Sequence, residues 1–141
     1  MGTHPTPILA WDDLEVGTKA PPISQILGRT DMVQYAGASG DYNTMHTDEV
    51  AAQAAGLPSV FGHGMFSMGL LGRALTDWAG PGNLTNYKVR FTKQTWPGET
   101  LTTSVVVTAK RDEDGRRPVD VDASLANEVG EVKVAGSATV I

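Results

Sequence analysis

The stretch "MFSMGLLGRALTDWAG", residues 65–80, decides the fold. Met65, Phe66, Met68, Leu70, Leu71, Ala74, Leu75 and Trp78 cover nearly the whole circumference of a helix, interrupted by small residues. A helix that is apolar all round is a buried one. Gly64 before it and Gly80–Pro81 after it mark its ends. A single buried helix in a chain of 141 residues must be surrounded by something else, and the flanking sequence shows what that is.

Beyond residue 82 the apolar period changes from helical to alternating. "NYKVRFTKQTW" sets Tyr87, Val89 and Phe91 against Lys88, Arg90 and Thr92. "TLTTSVVVTAKR", "PVDVDASLANE" and "EVKVAGSATVI" follow, with "WPGE", "DEDGRR" and "EVGE" as turns. Strands joined by turns this short are antiparallel. On the N-terminal side, residues 1–13 read as an arm and "ISQILG" (23–28) as a short strand. "TDMVQYAGAS" reads as a short helix capped by Thr30, with Met32, Val33, Tyr35 and Ala36 on its apolar face. "DEVAAQAAG" reads as a second helix, capped by Thr47 and ended by Gly56. The class is α+β, one domain over 1–141, with a four- or five-stranded antiparallel sheet around one buried helix. The second face of that sheet also needs a cover, which makes a dimer the expected state.

Composition narrows the function. The chain has 40% apolar and 19% charged residues, as ordinary globular domains do. With no cysteine, disulfides, thiolate nucleophiles and Cys-based zinc sites are excluded. The three histidines, His4, His46 and His63, contain no i, i+4 pair, so no metal site is expected. A net charge of −5 and a pI near 5.0 argue against nucleic acid as partner. Neither a secretory leader nor an apolar run of membrane-spanning length is legible, and a cytoplasmic location is expected.

Chemistry concentrates in "YAGASGDYNTMHTDEVAAQA", Tyr35 to Ala54. Asp41 and His46 are five apart, which on a helix or a strand sends them to different faces. Only a turn brings them together, and "SGDYNT" is turn sequence. A purely structural reading competes: Asp41 and Asn43 make turns, and His46 packs ahead of a helix. Likewise His63 and Gly64 in "FGHGM" can simply end a loop. Yet a glycine opening a buried helix offers free N–H groups, backed by the positive end of the helix dipole, to an oxyanion.

"YAGASGDYNTMH", "HGMFSMGLLG" and "YKVRFTKQTWPGETL" resemble the MaoC-like dehydratases, or (R)-specific enoyl-CoA hydratases, from about Leu14 to the C-terminus. The likeness is especially close to single-domain actinobacterial members. The family pattern G-D-x-N-P-apolar-H stands here as Gly40 to His46, with Thr44 in the place of the proline. The resemblance implies a hot-dog fold, dimerising, and reversible hydration of trans-2-enoyl thioesters to (3R)-hydroxyacyl thioesters. It implies Asp41 and His46 as the acid/base pair, Asn43 as the residue orienting water or loop, and Gly64 N–H as the oxyanion donor. His63, Met65, Arg90 and Lys93 are the expected substrate contacts, the two cations facing the phosphates of coenzyme A or of an acyl carrier protein. No cofactor or metal is implied, since coenzyme A or phosphopantetheine belongs to the substrate. Ser67, Gly69 and Gly72 read as helix-packing positions. The alternatives are a hot-dog acyl-CoA thioesterase and one subunit of a heterodimeric dehydratase, either catalytic or not.

Overall fold

The computed structural model describes residues 10–141. Of the expected N-terminal arm it therefore includes only the end, a single 3-10 turn over Trp11–Asp13; His4 lies outside the described residues. The elements that follow are β1 (Ser24–Ile26), α1 (Arg29–Ser39), α2 (Glu49–Ala54), α3 (Gly64–Ala79), β2 (Leu84–Phe91), β3 (Thr100–Lys110), β4 (Val119–Ala126) and β5 (Val132–Val140). The five strands form one sheet in the order β1-β3-β4-β5-β2, every neighbouring pair antiparallel. The α3 helix lies across one face, touching β2, β3, β4 and β5.

The core between them follows from alternation. Leu101, Val105 and Val107 of β3, Val121 and Leu125 of β4 and Ala138 of β5 point at α3, where Leu71, Ala74 and Leu75 meet them; each is 3% exposed or less. Close approach is built in at two glycines. A Cβ on Gly136 of β5 would sit 1.9 Å from the Lys88 carbonyl oxygen. One on Gly72 of α3 would sit 3.3 Å from the Tyr87 ring. Tyr87 donates its hydroxyl to the Met68 carbonyl at 2.7 Å, and burial pushes its pKa up to about 12.

Several expectations are corrected in detail. The α3 helix is not apolar against protein all round: Met65 is 56% exposed, and Gly69, Arg73 and Asp77 continue that open stripe one turn at a time. Gly69 meets nothing within 4 Å, so packing does not explain it. Thr30 does not cap α1, which starts one residue earlier; Gly28 is its N-cap and donates its N–H to Asp31 at 2.8 Å. Val33 is exposed rather than on the buried face. Asp48, not Thr47, caps α2, accepting the Ala51 N–H at 3.1 Å. The outer face of the sheet is mostly polar, with Thr102, Ser104, Asp122 and Ser137, and its exposed apolar side chain is Ile26 at the β1 edge, so it carries less apolar surface than the expected cover required.

Candidate active site

The α1 helix ends at Gly40, whose φ of +77° suits glycine and turns the chain sharply. The turn that follows is held by its own side chains. Asp41 Oδ1 accepts the Asn43 N–H at 3.2 Å, and Asn43 Oδ1 accepts the Met45 N–H at 3.1 Å, capping a 3-10 turn over Thr44–His46. Both turn readings of Asp41 and Asn43 are thus correct, but Asp41 spends only Oδ1 on the turn. Its Oδ2 lies 3.8 Å from His46 Nε2. Asn43 holds the loop through its Oδ1. Thr44 opens the 3-10 turn, and its N–H makes no hydrogen bond among the described residues, so a proline there would forfeit none.

His46 is 7% exposed and clamped by the segment before α3. Its Nδ1 is 2.6 Å from the Phe61 carbonyl oxygen, while Phe61 donates its N–H to Met45 at 3.1 Å. A carbonyl only accepts, so Nδ1 carries the hydrogen and Nε2 presents a lone pair in the neutral ring. Nε2 and the Asp41 carboxylate are then two acceptors 3.8 Å apart, too far for a direct bond and well spaced for one water or hydroxyl between them.

The next residues complete the site. His63 stacks on His46 with ring centroids 4.0 Å apart, and Gly64 begins α3 directly after it. Among the described residues the Gly64 N–H has no hydrogen-bond partner. It stands at the positive end of a 16-residue helix. A cleft of about 240 Å³ opens at Gly64, bounded by Phe61, Ser67, Phe91, Lys93 and Thr95. Ser67, expected as a packing residue, therefore lines the cleft.

The proposed substrate contacts divide. Lys93 stands in the cleft wall, 3.9 Å from Glu131, whereas Met65, next to Gly64, is exposed and does not line the cleft. Arg90 does not reach it: Tyr87 and Val89 pack toward the core, so Lys88 and Arg90 project from the opposite face, along a shallow groove with Ser137. His63 is 2% exposed and sits behind His46, which corrects its assignment as a substrate contact.

The fold also brings together what sequence spacing kept apart: ligand atoms of Asp41, His46 and His63 lie within 4.8 Å of one another. One nitrogen of each histidine is engaged with a backbone carbonyl, and rings stacked at 29° hold their in-plane lone pairs side by side instead of aiming them at one point. That arrangement suits proton transfer better than chelation.

Lys133 is the position supporting the cleft that sequence reading missed. Alternation puts Val132 and Val134 inward and Lys133 outward, but Leu125 pairs with Val134 while Ala126 pairs with Val132, leaving Lys133 as the extra residue of a β-bulge. Its side chain turns inward to full burial and reaches Glu99 at 3.0 Å, Glu131 at 2.6 Å and the Gln94 carbonyl at 2.8 Å. Its own carbonyl accepts the N–H groups of Thr92 and Lys93. Lys133 thus fixes the 92–95 wall of the cleft. The only sequence signal was a lysine between two valines.

A five-stranded antiparallel sheet wrapped on a long glycine-started helix, with Asp41 and His46 brought together beside that helix, is the arrangement of a hot-dog protein. The MaoC like domain matches residues 13–129, and the chain belongs to that family. It is 42% identical over 81 residues to 3-hydroxyacyl-thioester dehydratase Y of Mycobacterium tuberculosis (strain ATCC 25618 / H37Rv), covering 55% of this chain and 28% of that protein. The chain spans less than a third of the length of this and of the M. tuberculosis enoyl-CoA hydratase ChsH3, of which it covers 27% at 37% identity and 57% of its own length. Among solved structures it superposes on the unliganded R-hydratase PhaJ1 of Pseudomonas aeruginosa with a TM-score of 0.83 and 27% identity, covering 92% of this chain and 83% of that one. It matches a chain of the M. tuberculosis ChsH1-ChsH2 complex with a TM-score of 0.78 and 28% identity, covering 89% and 96%.

Proposed function

We propose that this chain catalyses the reversible hydration of trans-2-enoyl thioesters to (3R)-hydroxyacyl thioesters, the acyl group being carried by coenzyme A or an acyl carrier protein. The observation that carries the reading is the pair of acceptors, His46 Nε2 and Asp41 Oδ2, 3.8 Å apart at the N-terminus of α3. A water between them is held by both. As its oxygen bonds to the β-carbon of the enoyl group, the pair takes one of its protons and returns a proton to the α-carbon. The pair ends in its starting protonation state, and one water has been added. Between these events negative charge sits on the thioester oxygen, where the Gly64 N–H and the helix dipole stabilise it; such a donor is typically worth about 3 kcal/mol. The names of the dehydratase and hydratase relatives agree with this reading. The test is loss of the ultraviolet absorbance of a conjugated enoyl-CoA on addition of the protein; absorbance that persists with both short and long enoyl chains contradicts the reading.

Lys93 is the phosphate contact in this account. Lys93→Ala raises KM for an enoyl-CoA several-fold at low salt and less at high salt, because an exposed charge is screened, while kcat stays near wild type. Arg90→Ala, changing a side chain on the opposite sheet face, leaves KM near wild type. Equal effects of the two, measured across ionic strength, would exclude this assignment.

The working unit pairs this chain with a second hot-dog subunit, either another copy or a related chain. The support is exposed apolar surface around the start of α3: Met65, beside Gly64, is 56% exposed, and Phe91, at the end of β2 and in the cleft wall, is 53% exposed. One superposing structure, ChsH1-ChsH2, is itself a complex. Light scattering on the chain alone is expected to give a mass well above 14.9 kDa at micromolar concentration. A monomeric mass, unchanged when candidate partner chains are added, argues against pairing. A cytoplasmic location fits this reading, and among the described residues no helix is long and apolar enough to cross a membrane.

A further inference from the structure

His63 takes no part in the proton transfers above, yet it touches every element that does. Its Nε2 is 3.1 Å from the Asp41 carbonyl oxygen. Because that oxygen only accepts, Nε2 carries the hydrogen and donates it. One face of the ring stacks on His46, and Tyr35 meets the ring edge-on at a centroid distance of 4.8 Å. Its other nitrogen, Nδ1, is buried with no partner among the described residues. Its backbone carbonyl accepts the N–H groups of Phe66 and Ser67 at 3.1 and 3.4 Å, starting the helix whose first residue is Gly64.

We propose that His63 is the positioning residue that sets the register between the Asp41–His46 pair and the Gly64 N–H; the proposal rests on the hydration reading. The side chain ties the catalytic loop at the Asp41 carbonyl, the ring face fixes the plane of His46, and the backbone launches the oxyanion donor. Hydration needs the attacking water and the oxyanion donor at a fixed separation across a rigid enoyl thioester. A misplacement of about 1 Å costs on the order of 100-fold in rate. No simpler side chain does both tasks. Phenylalanine stacks but leaves the Asp41 carbonyl without its donor; glutamine donates but offers no ring to His46.

The experiment compares His63→Phe and His63→Gln with wild type in the full chain, reading kcat and KM for crotonyl-CoA, thermal unfolding, and the amide and imidazole nitrogen resonances. His63→Phe is expected to lower kcat roughly 100-fold with KM little changed, while unfolding remains cooperative. His63→Gln, keeping an N–H for the Asp41 carbonyl, recovers part of that loss. In wild type the neutral rings carry their hydrogens on His63 Nε2 and His46 Nδ1, and both the His46 ring and the Gly64 amide resonances move in His63→Phe. Wild-type kcat in both variants overturns the proposal. So does a loss that is equal in the two and matches the unfolded fraction, or a His63 hydrogen found on Nδ1. If wild type hydrates no enoyl thioester, the functional reading fails on its own. The resonances still decide the positioning role, since unmoved His46 and Gly64 signals overturn it.

Discussion

Asp41→Asn and His46→Gln each lower kcat for enoyl-CoA hydration by ~100-fold or more, the usual effect of deleting an acid/base group. Asp41→Asn is the cleaner of the two. Its side chain is half exposed, and the asparagine oxygen still accepts the Asn43 N–H that closes the turn, so the loop keeps its shape. What is lost is the second acceptor 3.8 Å from His46 Nε2. His46→Gln also removes a buried ring packed between Phe61 and His63, so some stability goes with it, and activity must be referred to folded protein. Steady-state kinetics alongside thermal unfolding separates the outcomes. A loss in kcat with unfolding near wild type for Asp41→Asn assigns the pair. Unchanged kcat in Asp41→Asn returns the residue to a turn-forming role only.

Lys133→Met is expected to destabilise the fold by up to about 3–5 kcal/mol, the cost of breaking a buried ion pair, because it leaves the carboxylate of Glu99, whose side chain is only 12% exposed, without its counter-charge. The fall in Tm is then on the order of 10 °C. Glu99 shows how the network works. Burial opposes its ionisation, but hydrogen bonds from Asn127, Lys133 and the Trp96 N–H, together with the Lys133 charge, hold its pKa below the ordinary 4.5. Burial likewise works against the Lys133 ammonium, and its contacts with Glu131 and Glu99 raise its pKa above 10.5.

The signs follow by linkage. Glu99, depressed, contributes stability that is present above pH 4.5 and lost as pH falls through its folded value. Lys133, raised, contributes stability that is fully present below pH 10.5 and lost as pH rises through its folded value. The gap in Tm between wild type and Lys133→Met is therefore widest near neutrality and narrows toward acid, where Glu99 becomes protonated. Adding Glu99→Gln to Lys133→Met recovers part of the loss, since the stranded charge is gone. Thermal unfolding from acid to neutral pH checks both statements; a gap that stays constant with pH rules out the electrostatic account. The 92–95 wall loosens in the same variant, because Lys133 Nζ no longer reaches the Gln94 carbonyl.

What the sequence revealed and what it hid divide along a physical line. Local, repeating signals were legible: the apolar run closing at Gly80–Pro81 became α3, and alternation after residue 82 became four strands near the expected bounds. The turn motif was legible because Asp41 and Asn43 bond to N–H groups two residues away. Cap positions slipped by a residue or two: Asp48 rather than Thr47 accepts the free N–H at the start of α2, and the N-cap of α1 is Gly28, whose own N–H is held by Asp31, choices made only by the folded backbone. Long-range placement was hidden. A single-residue bulge inverted Lys133, and no alternation rule survives an insertion in one strand of a pair. His63 read as a substrate contact because it adjoins Gly64; it is covered by Tyr35 of α1 and by Asp41 and His46 of the following loop, 17 to 28 residues away in sequence. The outer sheet face is mostly polar apart from Ile26, so alternation alone overstated its apolar surface, while the exposed Met65 and Phe91 lie near the start of α3.

The account stands most directly on the identity of the product. Incubating the purified chain with crotonyl-CoA, then resolving the hydroxyacyl product on a chiral phase while titrating free thiol, separates hydration from hydrolysis in one sample. The account predicts (3R)-hydroxybutyryl-CoA with no thiol released, and no such product from Asp41→Asn. Release of coenzyme A thiol in step with substrate loss, or a (3S) product, would contradict it.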